Sequence, residues 1–208
     1  MIDNKLIESI DSLFANCAQR MFENDINIQL FSFLTTLARE NGGPKGVEYY
    51  VRPALLFELL HEQNSGSIKT LDIERNIAGT GQRADMYFEY DDKNIWIEFN
   101  AFAGKGYITQ KTHDDSLKII PQLKIEKESY KNIGIIVHLQ IYEEPEKVKE
   151  YMFEKIKAAP EVFKDVEMSF IDSSTVRQID GNIKSHEHIA IRWFYLIPSV
   201  EGSREVTE

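Results

Sequence analysis

Along the first 22 residues the apolar positions recur at steps of three and four. Leu6, Ile10, Leu13, Phe14, Cys17 and Met21 share one side of a helix over residues 5–22. Asp25 stands as an N-cap for a second helix through Glu40, which Gly42-Gly43-Pro44 brings to an end. Val47–Val51 reads as extended, and Pro53 suits the first turn of a third helix reaching Gln63. Asn64-Ser65-Gly66-Ser67 reads as a loop.

Beyond this loop the period changes from helical to alternating. Ile68–Ile77, Arg83–Tyr90 and Ile95–Asn100 predict three strands, the last two joined by the turn-forming run Asp91-Asp92-Lys93-Asn94. Thr112 with Asp115 has the spacing of a capping box, and Pro121 predicts a kink or break in the helix that follows. Ile133–Ile141 is apolar enough for a buried strand. Pro145 opens an amphipathic helix to Ala158, Val166–Ile171 and His188–Ile197 are further strands, and Ser199–Glu208 reads as a frayed tail. Helices, three strands, a helix and a strand in that order predict an α/β fold with a central mixed sheet flanked by helices. The expected organisation is a single domain over 1–198, with N-terminal helices in 1–63, the core sheet in 68–141 and a C-terminal helix-and-strand extension in 142–198.

A four-residue turn at 91–94 sets Tyr90 opposite Ile95, Tyr87 opposite Glu98 and Asp85 opposite Asn100. Because side chains alternate, Asp85, Tyr87, Glu98 and Asn100 then share one face, while Met86, Phe88, Ile97 and Phe99 fill the other. Asp85 and Glu98 become diagonal neighbours, about 7–8 Å apart, within reach of one ion. Oxygen-only ligands on a hairpin suit a hard cation such as Mg²⁺. The competing reading is a solvated strand face, although paired acids there repel without a cation.

Composition changes this picture modestly. The 208 residues are 42% hydrophobic and 28% charged, values ordinary for a globular protein. The net charge of −10 argues against loose, non-specific binding to polyanions. Residues 105–131 differ, with six lysines against Asp114, Asp115, Glu126 and Glu128, so a polyanion is expected to meet the middle of the chain. Cys17 reads as a core thiol without an activating basic neighbour, and one cysteine excludes an internal disulfide. The acidic N-terminus does not resemble a secretory signal, and no apolar run approaches the roughly 20 residues of a membrane span. A cytoplasmic protein without membrane contact is expected.

The segment LDIERNIAGTGQRADMYFEYDDKNIWIEFNAF resembles the core of the PD-(D/E)XK, or restriction-endonuclease-like, nucleases. In that family an Asp begins one strand and a Glu-x-Lys lies on the next, after a short hairpin. The likeness covers residues 20–141 and includes the order of elements. It implies a restriction-endonuclease-like core with Asp85 and Glu98 as ligands of Mg²⁺ or Mn²⁺, and the Phe99 backbone carbonyl as a third. Glu74 is a candidate additional acid, with Glu23 and Glu58 as helical alternatives. The chain departs from the motif at Asn100, where the family has Lys; an amide hydrogen-bonds to water but carries no charge. Lys105, in Gly104-Lys105-Gly106, is the first candidate to supply the missing ammonium, and Lys111 and Lys118 are less direct ones.

The resemblance implies a metal-dependent nuclease hydrolysing phosphodiesters by metal-activated water, with catalytic Asp85, Glu98, Asn100 and Lys105. Arg83, Lys111 and Lys118 would contact nucleic acid, with DNA the expected polymer; cutting both strands would need a homodimer or two sequential nicks. The alternatives are a catalytically inactive nuclease fold serving interaction or regulation, and a metal-free protein-binding module. Other constellations carry less. His186-Glu187-His188 lacks a third zinc ligand at a convincing spacing, and Gly79-Thr80-Gly81 reads as a loop between strands. Arg83 either meets a phosphate or pairs with an acid. Tyr87 and Trp96 suit packing better than base stacking, and the mixed charges of residues 146–158 read as a solvated helix face.

Overall fold

The apolar stripe of the first helix finds its partner in a sheet. The computed structural model describes residues 4–40, 45–102, 108–126, 129–142, 168–170, 177–184 and 187–198. Three helices come first: α1 (Asn4–Glu23), α2 (Asp25–Glu40) and α3 (Lys45–Ser65). Then follow β1 (Leu71–Asn76), β2 (Arg83–Tyr90), β3 (Lys93–Phe102), α4 (Ile108–Leu123) and β4 (Asn132–Tyr142). The remaining strands are β5 (Met168–Phe170), β6 (Arg177–Lys184) and β7 (Glu187–Pro198). The fold is α/β, built on a mixed sheet in the order β1-β2-β3-β4-β7, with β5 and β6 both pairing with β7. Among the described strands only β3 and β4 run parallel, and α4 crosses between them; a parallel pair requires such a crossover.

Alternation along the strands divides the core in two. Met86, Phe88, Ile95, Ile97, Phe99, Ile135, Val137, Trp193 and Tyr195 pack against Ile10, Phe14 and Met21 of α1 and Val51, Leu55 and Leu59 of α3. The opposite face offers Tyr87, Trp96, Ile136 and Leu196 to Ile119 and Leu123 of α4. Burying each such side chain contributes about 1.5–3 kcal/mol, so the two faces fix α3 and α4 on opposite sides of β3. Gly134 sets how closely α4 lies. A Cβ there would meet Ile119 Cδ1 at 2.8 Å, Leu196 Cβ at 3.0 Å and Leu123 Cδ1 at 3.1 Å. Among the described residues, no helix is long and apolar enough to cross a membrane.

Several local expectations need correction. The cap of α2 is Asn24, whose Oδ1 accepts from the N–H groups of Ile26 (3.0 Å) and Asn27 (3.3 Å); Asp25 is the first helical residue. Helix α3 begins at Lys45, so Val47–Val51 is helical and Pro53 lies inside the helix. The four-residue spacing of Val51, Leu55 and Leu59 on the core outweighs the hydrogen bond that proline forfeits. That helix ends in paired turns, Ser67 N–H to Glu62 O and Gly66 N–H to Gln63 O, with Gly66 at φ +86°. The β2–β3 turn has two residues rather than four. Asp91 and Asp92 adopt φ +45° and +61°, and Tyr90 faces Lys93, the geometry that suits the twist of a hairpin.

Helix α4 starts at Ile108, which leaves Thr112 within the helix rather than at its cap, and it runs through Pro121 to Leu123. Strand β6 was not foreseen, because Arg177–Lys184 (RQIDGNIK) is too polar to read as a strand. Arg20, three residues after Cys17, does reach the thiol, with Nη2 3.5 Å from Sγ. Cys17 is nonetheless fully buried, and burial pushes its pKa up to about 12 against the opposing Arg20 charge. The helix expected over 145–158 and the tail at 199–208 lie outside the described residues.

Candidate active site

Both ladders of β2 are interrupted at the same residue. β1 pairs with β2 at Ile73↔Met86 and again at Arg75↔Ala84, leaving Glu74 and Asp85 between them. Glu74 sits at φ +53°, a conformation costing about 1–2 kcal/mol for a residue with a Cβ. β2 pairs with β3 as far as Met86↔Ile97. Continuing that register by one residue sets Asp85 level with Glu98, where Asn100 was expected. The shift of two preserves the alternation, so Glu98 and Asn100 still share the face of Tyr87 and Trp96. The expected separation of the carboxylates came from the longer turn and does not apply.

Asp85 occupies the opening where the strands part. Its Oδ2 accepts the Phe99 N–H at 2.8 Å, so a side chain takes over where the ladder stops. Its Oδ1 lies 3.3 Å from Arg52 Nη2, on α3. The same nitrogen donates to the Asp85 backbone carbonyl at 3.1 Å and to Glu74 Oε1 at 3.0 Å. The Arg52 guanidinium lies 5.9 Å from the Phe99 ring centroid. Asp85 therefore reaches α3 through Arg52, while its charge still bears on Glu98.

Glu98 is wholly buried. Its Oε2 receives Lys118 Nζ from α4 at 2.8 Å, while its Oε1 has no hydrogen-bond partner. Lys118 also lies 3.2 Å from Oδ1 of buried Asp115, whose two oxygens accept from Lys111 Nζ at 2.8 and 2.9 Å. Burial pushes the Glu98 carboxyl up to about 8; the Asp85 charge adds to this, and Lys118 offsets only part. Burial works against the Lys118 ammonium, but Glu98 and Asp115 outweigh it and raise its pKa. Asn100 is buried beside this pair on the same strand face, and neither Oδ1 nor Nδ2 has a partner. Such groups cost about 1–3 kcal/mol each when left unpaired.

The expected residues thus divide. Asp85, Glu98, Asn100, Lys111 and Lys118 come together around the C-terminal half of β3. Glu74 joins only through Arg52, and its side chain is 49% exposed. Glu58 is paired with Arg20 at 2.8 Å between α1 and α3, and Glu23 is exposed on α1. Arg83 is exposed at the start of β2. Tyr87 and Trp96 are buried against each other, ring centroids 4.8 Å apart, in the core beneath α4. Lys105 and His186 lie outside the described residues, as does the side chain of His188.

No family model, curated protein or solved structure matches the chain. The site is therefore read from its own geometry. Among the described residues, no group of three or more His, Cys, Asp or Glu side chains is arranged to hold a metal ion. Mg²⁺ asks for less, since it keeps several waters and takes one or two carboxylates. The orphaned Glu98 Oε1 and Asn100 Oδ1 are hard oxygen donors that fit such an ion. Asp85 fits only once Arg52 yields its Oδ1.

Sequence reasoning missed Arg52 and Asp115. Arg52 was hidden because the residues before Pro53 read as extended, which left no helix to carry it. Asp115 was read as a cap. The spacing Lys111, Asp115, Lys118 places alternating charges on one helical face beside Ile119, and that was the available signal.

Proposed function

We propose that this chain is a Mg²⁺-dependent nuclease-like hydrolase of the PD-(D/E)XK type, acting on nucleic-acid phosphodiesters, with DNA the favoured polymer. One observation carries the reading: a fully buried glutamate with one oxygen unpartnered and the other on a lysine ammonium, at the place where two strands part around an aspartate. The run from α3 through β4 also has the expected order of helix, three strands, helix and strand.

In this reading Glu98 Oε1, Asp85 and the Phe99 carbonyl hold the ion, which when bound lowers the pKa of a water and draws charge from the scissile phosphate. The chain's own residues do the rest. Lys118 brings to Glu98 the ammonium that Asn100 lacks, from a helix rather than from the strand, and Asp115 fixes its position. Asn100 offers a donor and an acceptor to a water at the same spot. Lys118 is the chosen source of positive charge because its contact with Glu98 is direct; Lys105 lies outside the described residues.

The test is cleavage of single- and double-stranded DNA and RNA with Mg²⁺ or Mn²⁺. Wild-type protein should cut, and Glu98→Gln and Lys118→Met should each lose at least about 100-fold, the scale of a positioned charge in a dry site. Equal cleavage by all three proteins would refute the site. A second reading, a nuclease fold without activity, is favoured by the hold of Arg52 on Asp85; absence of cleavage under every condition would select it.

A further inference from the structure

Resting on that reading, we infer that Arg52 is a phosphate-binding residue held in reserve on Asp85, which a divalent cation must displace. The contacts leave little alternative for an arriving ion. Asp85 Oδ2 is committed to the Phe99 N–H, so Oδ1 is the oxygen to offer, and Arg52 Nη2 stands 3.3 Å from it. A cation and a guanidinium at one carboxylate oxygen repel each other, so binding one expels the other. The guanidinium already fills the cation's electrostatic place, at a side chain only 15% exposed.

Once expelled, Arg52 does not leave the site. Glu74 Oε1 holds the same Nη2 at 3.0 Å and the Phe99 ring lies beneath the guanidinium, so both tether it at the rim of the opening. Glu74 is half exposed, with a left-handed backbone that turns it out of the β1–β2 ladder toward Arg52. A planar guanidinium beside a bound cation is matched to phosphate oxygens, which accept its parallel N–H pairs. The partner is thus the phosphodiester backbone, and Glu74 is a positioning residue acting through Arg52 rather than a metal ligand.

The test exploits opposite signs. Mn²⁺ binding is measured by electron paramagnetic resonance, and binding of a fluorescent oligothymidylate is measured by anisotropy in Ca²⁺. Arg52→Met should bind Mn²⁺ about ten-fold more tightly and the oligonucleotide about ten-fold more weakly, the scale of one charge-assisted contact. A merely structural role would weaken both. Glu74→Gln, at an exposed position that does not threaten the fold, should weaken the oligonucleotide two- to three-fold, because the expelled Arg52 loses its tether, on the order of a solvent-exposed ion pair. Unchanged or weaker Mn²⁺ binding in Arg52→Met would overturn the inference while leaving the metal site in place. Tighter Mn²⁺ with unchanged oligonucleotide binding would overturn the phosphate assignment. Absence of Mn²⁺ binding in all three proteins would overturn the inference together with the metal site it rests on.

Discussion

Replacing Glu98 by glutamine tests the electrostatics of the site without requiring any substrate. Glu98 faces Lys118 and Asp115 on α4 and Asp85 on β2, and burial dominates its titration. The unfolded chain releases this proton near 4.5, whereas the folded chain holds it to about 8. Between those values the native state carries a proton that the unfolded state has lost, so stability falls as pH rises through the window. At roughly 1.4 kcal/mol per unit, the penalty is about 1 kcal/mol at pH 5 and about 4 kcal/mol at pH 8. Glutamine does not titrate, so the stability of Glu98→Gln relative to wild type should improve by about 3 kcal/mol over that range. Urea unfolding followed by circular dichroism in EDTA, at pH 5, 6.5 and 8, gives the difference directly. A difference that stays constant with pH, or that moves against the glutamine protein as pH rises, would refute the reasoning. Millimolar Mg²⁺ should flatten the wild-type slope, because a cation on Oε1 replaces the proton.

Gly134→Ala should destabilise the fold by about 1–3 kcal/mol, since its Cβ would press α4 away from the sheet; chemical denaturation measures the loss. Exchanging Asp91-Asp92 for Asn-Gly should raise stability by about 0.5 kcal/mol, because both turn positions have positive φ and this gain exceeds the exposed Lys69–Asp92 ion pair that is lost; thermal unfolding would show the gain. Cys17 should resist a thiol-specific chromogenic reagent at pH 8 in the folded protein and react at once in urea, since burial keeps the thiol protonated. Rapid labelling of the native protein would contradict its place in the core.

What the sequence disclosed here followed from period. The stripe of α1, the alternation of β2 and the apolar run of β4 each specify an element, and the alternation placed Glu98 and Asn100 on one face despite a wrong turn length. A register slip of two is invisible to a face assignment, whereas a slip of one would have destroyed it. Tertiary contacts settled the rest. Pro53 reads as a helix start by local rule, yet three buried residues at four-residue spacing carry the helix through it. Lys118 and Lys105 are alike in sequence, and only the seating of α4 against Gly134 brings Lys118 to Glu98. Arg52 lies 33 residues before Asp85, and no local pattern ties a helix residue to a strand that distant.

The bend at Glu74 also matters for how the molecule meets copies of itself. Among the described strands β1 ends the sheet, pairing with β2 on one side, and an outer strand with free backbone groups invites another extended chain to zip alongside. A left-handed residue two-thirds of the way along breaks that invitation. Three regular residues precede it and two follow, too few in either stretch to template a stable intermolecular ladder. Exposed Ile73 beside the bend would otherwise be the apolar nucleus of such an assembly. The conformation that points Glu74 at Arg52 therefore also blunts the sheet's edge against fibre-like association.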